Sequence, residues 1–238
     1  ITMFPKSKLD FTDGIIAGNH SKGNGGGIAV NDDFINGMDN TLNAESAHTH
    51  DYDEYLKEFK TEVNLDGGLI YKNKSGYAGG GVYVDSNNVT FGTTMLLDNH
   101  AANFGGGFYV AFPPLAQRLD HVLVTENKAI ASWIDSLGGG DGGGLWNCPT
   151  GFVHLGDRHS VYIFNNQAEG KGDDLGFVRK TISFILNGNE IKDQFYSHIS
   201  PVTELENLIK FLEDGNASES LIPDRMTYTQ LMTYLKAV

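Results

Sequence analysis

Only one cysteine, Cys148, occurs in the 238 residues, so neither a disulfide framework nor a zinc cluster built on thiolates is available. No run of 18 apolar residues exists, which excludes a membrane-spanning helix in this chain. Basic residues are outnumbered, 17 Lys and Arg against 30 Asp and Glu, for a formal net charge of −13. That balance argues against a nucleic-acid partner, which needs a basic face, and against electrostatic docking on anionic lipid. The opening residues ITMFPKSKLDF lack an initiator Met, a basic n-region and an apolar h-region. The chain therefore reads as an excised piece or a processed chain, from which any signal peptide or anchor would be missing. Glycine, by contrast, is abundant: 30 residues, roughly twice the usual share of about 7%, with no Gly-X-Y period. An apolar fraction of 40% suffices for a core and excludes global disorder.

The glycines are not scattered. One pattern recurs five times: an apolar pair, an Asn, a small residue two places on, a glycine cluster, then an apolar triplet. The copies read IIAGNHSKGNGGGIAV, LIYKNKSGYAGGGVYV, MLLDNHAANFGGGFYV, LVTENKAIASWIDSLGGGDGGGLWN and YIFNNQAEGKGDDLGF. Their asparagines are Asn19, Asn73, Asn99, Asn127 and Asn166, at separations of 54, 26, 28 and 39 residues. Without insertions the unit is about 26 residues, the length of one solenoid coil. Helical repeats do not tolerate a glycine cluster in every unit, since each Gly costs about 1 kcal/mol in a helix interior; strands joined by tight turns do. Ile16, Ile70, Leu96, Val124 and Ile163 stand three places before each Asn, and Ile28, Val82, Phe108, Leu145 and Leu175 directly follow the glycines. Both columns suit stacked, inward-facing strand positions. The Asn suits a turn with φ > 0, bonding to its neighbour in the next coil, and the glycines permit a second sharp bend. The fold expected is an all-β solenoid, a right-handed parallel β-helix over residues 1–177.

The units N-x-[AS]-x-x-x-G-G followed by an apolar strand resemble the repeats of polymorphic outer-membrane proteins, found in bacterial autotransporter passengers and other surface adhesins. The resemblance spans roughly residues 12–177. It implies a β-helical scaffold, an extracellular or cell-surface location and no shared catalytic residues. The last copy departs from the pattern, with Asp173 and Asp174 in place of two glycines.

Two insertions interrupt the repeats. Residues 31–64 are acidic and carry Tyr52, Leu56, Phe59 and Val63 at helical spacing, which predicts an amphipathic α-helical insertion. A shorter insertion at about 130–141 brings Trp133 and the segment GGGDGG around Asp141. Past residue 177 the repeat pattern stops. Ser200, Pro201, an apolar stripe of Leu205, Leu208, Ile209 and Leu212, and Gly215 mark one helix; a Thr227 to Gln230 capping box opens another. Residues 178–238 thus read as a C-terminal α-helical cap or a small interaction domain.

Several clusters have chemical potential. His48, His50, Asp51, Asp53 and Glu54 are divalent-metal ligand types in a short span, or else a solvated loop. Asp141 among glycines resembles a Ca²⁺-binding β-roll turn, though it occurs once and without the nonapeptide period; no other cofactor is indicated. A β-helix polysaccharide lyase or glycosidase would draw on Asp135, Asp141, Asp157, Arg158, His159, Asp173 and Asp174, with GDRHS the nearest to a catalytic cluster. Sequons at Asn19, Asn73, Asn88 and Asn216 fall partly on the repeat Asn itself, as coincidence with the turn motif explains, and Cys148 reads as a small buried apolar residue.

Alternation after the glycines turns Ala29, Tyr83, Tyr109, Trp146 and Gly176 to the side opposite the inward column. Strands about 4.8 Å apart then align Tyr83, Tyr109 and Trp146 in an aromatic ladder, which with Trp133 is the candidate ligand-binding surface for sugar rings. The alternative is a ladder covered by other segments and serving stability. The function expected is an adhesin segment binding a glycan or a host surface protein; a carbohydrate-active enzyme and a plain spacer are the other two readings.

Overall fold

Two apolar stretches that return every 26 or so residues are buried together when strand stacks on equivalent strand, and the backbone then follows the same path in each repeat. The computed structural model describes residues 1–4, 6–30, 61–85, 89–110, 116–119, 122–130, 140–148, 152–155, 161–177, 184–186, 189–191 and 195–196. Each repeat adds one strand to each of four sheets, in constant order. Sheet 1 holds Lys8–Phe11, Glu62–Leu65, Val89–Phe91, Ala116–Leu119, Phe152–Leu155, Phe184–Leu186 and Asn189–Ile191. Sheet 2 holds Ile15–Ala17, Leu69–Tyr71, Met95–Leu97, Val122–Thr125 and Val161–Phe164; sheet 3 holds the two-residue strands His20–Ser21, Lys74–Ser75, His100–Ala101, Lys128–Ala129 and Gln167–Ala168. Sheet 4 holds Thr2–Met3, Ile28–Val30, Val82–Val84, Phe108–Val110, Leu145–Asn147, Leu175–Phe177 and Phe195–Tyr196. Pairing is parallel throughout the repeats, an all-β arrangement compatible with a β-solenoid.

The register is the one the repeat alignment implies. Ile16, Ile70, Leu96, Val124 and Ile163 face one another along sheet 2, and Ile28, Val82, Phe108, Leu145 and Leu175 along sheet 4. Both columns are buried in one core, to which sheet 1 adds Val63, Leu65, Val89, Phe91, Leu119 and Val153.

Three expectations are revised. The 31–64 insertion ends earlier than its helical pattern suggested: Glu62–Leu65 is a strand of sheet 1, with Val63 and Leu65 buried between exposed Glu62 and half-buried Asn64. That alternation has period 2, which a four-residue stretch satisfies without any helix; residues 31–60, with the proposed helix, lie outside the described residues. Secondly, strands run on past residue 177, where the repeat pattern stops: Phe184–Leu186, Asn189–Ile191 and Phe195–Tyr196 precede the two expected helices and extend sheets 1 and 4, the last two by antiparallel pairing; both predicted C-terminal helices lie outside the described residues.

Thirdly, the repeat Asn does not itself occupy the left-handed region. The residue before it does: Gly18 (φ 67°), Lys72 (52°), Asp98 (50°), Glu126 (59°) and Asn165 (55°). The bend at that residue turns the Asn side chain inward, where Asn73, Asn99 and Asn127 have no solvent exposure. There the expected bonding between neighbouring asparagines is complete. The Oδ1 of Asn99 accepts from the backbone N–H of Asn73 at 3.1 Å and from its Nδ2 at 3.0 Å. The Nδ2 of Asn99 donates in turn to Asn127 Oδ1 at 3.0 Å and to the Ile70 carbonyl at 2.8 Å. The same pattern links Asn19 to Asn73 and Asn127 to Asn166.

The glycines make room for this column. The first of each cluster, as at Gly79 and Gly105 (φ 65° and 63°), takes the second bend. The next two lie so close to the following repeat that a Cβ at Gly80 would strike the Gly106 carbonyl oxygen, and one at Gly81 would stand 3.1 Å from Asn99 Nδ2.

Asn99→Ala removes a buried acceptor of two bonds and a donor of two. It is expected to cost roughly 3 kcal/mol, read as a lowered denaturation midpoint. Glu126→Gly, at a left-handed position, is expected to stay within about 1 kcal/mol of the parent, because relief of strain offsets the added chain entropy.

Candidate functional site

Sheet 4 places one residue per repeat away from the core, and the register aligns Ala29, Tyr83, Tyr109, Trp146 and Gly176 as the alternation predicts. Tyr83 and Tyr109 stack at 5.1 Å with an interplanar angle of 10°. The Trp146 ring lies where a side chain at residue 176 would stand, and Phe104 stacks on Trp146 at 5.0 Å. The rings are not presented to solvent: Tyr83, Tyr109 and Trp146 are only 7%, 9% and 5% exposed, in a second apolar cluster with Ala78, Phe104 and Cys148. The ladder is thus present while its faces are occupied by one another and by Phe104, so the open sugar platform is replaced by a second packed layer. Trp133 lies outside the described residues.

Polar groups at this layer are tied into it. The Tyr83 hydroxyl donates to Asp85 at 3.4 Å. Burial, with the half-buried Cys148 thiol beside it, pushes the Tyr109 phenol far above its ordinary pKa, so the ring stays neutral. Cys148 therefore packs against a tyrosine at the margin of the layer and is less buried than its reading as an apolar core residue implied.

The carboxylates singled out for catalysis or Ca²⁺ serve the backbone where they are described. Asp141 Oδ1 accepts from the Lys171 N–H at 2.7 Å; burial raises its pKa, and that bond opposes the rise. Asp173 Oδ1 accepts from the Ala168 N–H at 2.9 Å. Asp174 Oδ1 accepts from the backbone N–H of Asn166 at 3.1 Å and from its Nδ2 at 2.9 Å. In every earlier repeat that acceptor is the next asparagine, so Asp174 takes its place at the end of the column. The apparent departure from the glycine pattern is its terminus.

Among the described residues no three His, Cys, Asp or Glu side chains gather as a metal-ligand set. His48, His50, Asp51, Asp53 and Glu54 lie outside them, as do Asp135, Asp157, Arg158, His159, Asn88 and Asn216. Asn73 is a blocked sequon in the folded chain, since its Nδ2 is buried and bonded to Ile16 O and Asn99 Oδ1.

One row was not anticipated. The residue directly after each repeat Asn points outward from sheet 3, and the register aligns His20, Lys74, His100, Lys128 and Gln167. The signal was the position following each Asn, which alternation with the small residue after it makes an outer one. Comparison with family models, curated proteins and solved structures finds no match to the chain.

Two substitutions check these assignments. Trp146→Ala is expected to destabilise by roughly 3 to 5 kcal/mol as a buried ring is lost, seen as a lower thermal midpoint. Asp174→Ala, which strips Asn166 of its acceptor, is expected to cost about 2 kcal/mol, and Asp174→Asn, which keeps an Oδ1, clearly less.

Proposed function

We propose that the chain is a right-handed parallel β-helical segment of a surface adhesin, built of polymorphic outer-membrane-protein-type repeats, that holds a glycan or a host surface protein against its lateral face and its insertions. The observation that carries this reading is the locked register. Five asparagines bonded in series hold equivalent residues of successive repeats in register, in rows across the sheets. Rows of like side chains at constant strand spacing of about 4.8 Å suit a ligand that is itself extended or repetitive. Right-handed winding agrees with the strong preference of parallel crossover connections. A helical insertion and a helical C-terminal cap complete the proposal, and the segment works at the cell surface without a bound cofactor.

The test is exposure of the whole chain to a glycan array, to host-cell surface proteins, and to soluble acidic and neutral polysaccharides, following both retention and newly formed reducing or unsaturated ends. Retention without product is the expected result. Product formation would replace the proposal with a lyase or glycosidase, and absence of both retention and product would leave a spacer.

A further inference from the structure

The strands of sheet 3 are two residues long, and their two positions divide cleanly. The second is small and turned inward: Ala101 and Ala129 have no exposure and Ser75 has 5%. The first is outward, with His20, Lys74 and Gln167 exposed and His100 and Lys128 half-buried. His100 lies within electrostatic reach of both Lys74 and Lys128, one repeat away on either side. Lys74 and Lys128 make no ion pair with a described residue. On a chain of net charge −13 this row holds two lysines, set on either side of His100, and no carboxylate, while residues 31–60 alone carry eight of the 30 acids.

The flanks of the row are compatible with an anion. Towards sheet 2 the nearest carboxylates are engaged, Asp98 with Lys72 at 3.8 Å and Glu126 with the Asn165 amide. Towards sheet 4 the chain continues through Gly76 and Ala102 beside Lys74 and His100, too short to crowd a ligand, through Ile130 after Lys128, and through Glu169, an exposed carboxylate confined to the Gln167 end; Tyr77, 43% exposed, stands edge-on to Phe104. Cations in line beside an accessible aromatic ring form a surface that can pair with acidic groups and stack on a sugar face.

We infer that the row His20, Lys74, His100, Lys128 and Gln167 is a docking strip for a linear acidic polysaccharide, with Lys74 and Lys128 holding carboxylate or sulfate groups and Tyr77 meeting a sugar ring. The inference rests on the adhesin reading and narrows its ligand class. The lysines recur in every second repeat, roughly 10 Å apart at the usual strand spacing, which suits a polymer charged on alternate rings. A nucleic acid, with one charge per about 1.7 Å of duplex, is far too dense for a strip with two permanent cations.

The strip has a built-in pH response. Burial, and then Lys74 and Lys128, lower the pKa of His100, with Asp98 opposing, so the unliganded imidazole is neutral at pH 7. A bound anion favours the imidazolium, which places the His100 pKa higher in the complex than in the free chain. Affinity therefore rises as pH falls through the bound-state value and is weakest above it.

The deciding experiment measures binding of the full chain to heparin, hyaluronan, dextran and single-stranded DNA at physiological salt, where the net negative charge of the chain is screened over about 8 Å. Expected are binding to at least one acidic polysaccharide, none to dextran, a loss of at least tenfold in Lys74→Gln/Lys128→Gln with an unchanged melting temperature, and a several-fold gain between pH 7.5 and 5.5 that His100→Gln diminishes. Acidic-polysaccharide binding untouched by the double substitution, absence of such binding, or equal affinity for the DNA would overturn the strip. Binding confined to neutral glycans on the array would also overturn it, yet leave the adhesin reading standing.

Discussion

An asparagine side chain buried away from water has two donors and one acceptor to satisfy, and here every internal copy does so with its neighbours in the stack. The carbonyl oxygen receives the previous repeat's amide and backbone N–H, while its own amide reaches the next asparagine and a carbonyl of the previous repeat. Nothing in this arrangement can slide by one residue without orphaning buried polar groups, each worth about 1 to 3 kcal/mol. Alignment of all four sheets follows from it, because the strand before the Asn, the strand after it and the glycine cluster that makes room for it are all within a few residues of the lock.

A narrow stack has little interior for its length, and sheet 4 compensates by packing on both sides. Its inward residues join the main core, while its outward aromatics form a second apolar layer with Phe104 and Ala78. The faces are thereby differentiated. Sheet 4 is apolar on both sides, whereas sheet 3, two residues wide with small inner side chains, leaves its long polar ones in water.

Most of the repeat architecture was legible because a repeat reports the same constraint several times. Ile70, Leu96 and Val124 would each pass for an ordinary apolar residue alone; in phase with Asn73, Asn99 and Asn127 they specify a column. The strands of sheet 1 were less visible, since they lie in the stretch whose length varies between copies, and Val63 could be counted into a helix by a pattern only one residue of which was in the strand. The conformation at the Asn was misassigned by one position for a physical reason: Asn tolerates the left-handed region, but Lys72, Asp98 and Glu126 were forced into it so that the Asn could turn inward. The aromatic row was readable from alternation, but its burial was not, because alternation tells which side a ring takes and nothing about what lies over that side. The cationic row was open to the same reasoning and was passed over because a mixture of His, Lys and Gln does not look like a column until the register is known.

Asp174 bears on how many units such a stack can hold. An interior unit offers its neighbours the same acceptors and donors that it receives, so duplicating or deleting one leaves two interfaces that already match. Asp174 ends that equivalence by supplying from within its own unit the oxygen that a further copy would bring. The column can therefore hold any number of interior asparagines, provided one carboxylate in this place closes it.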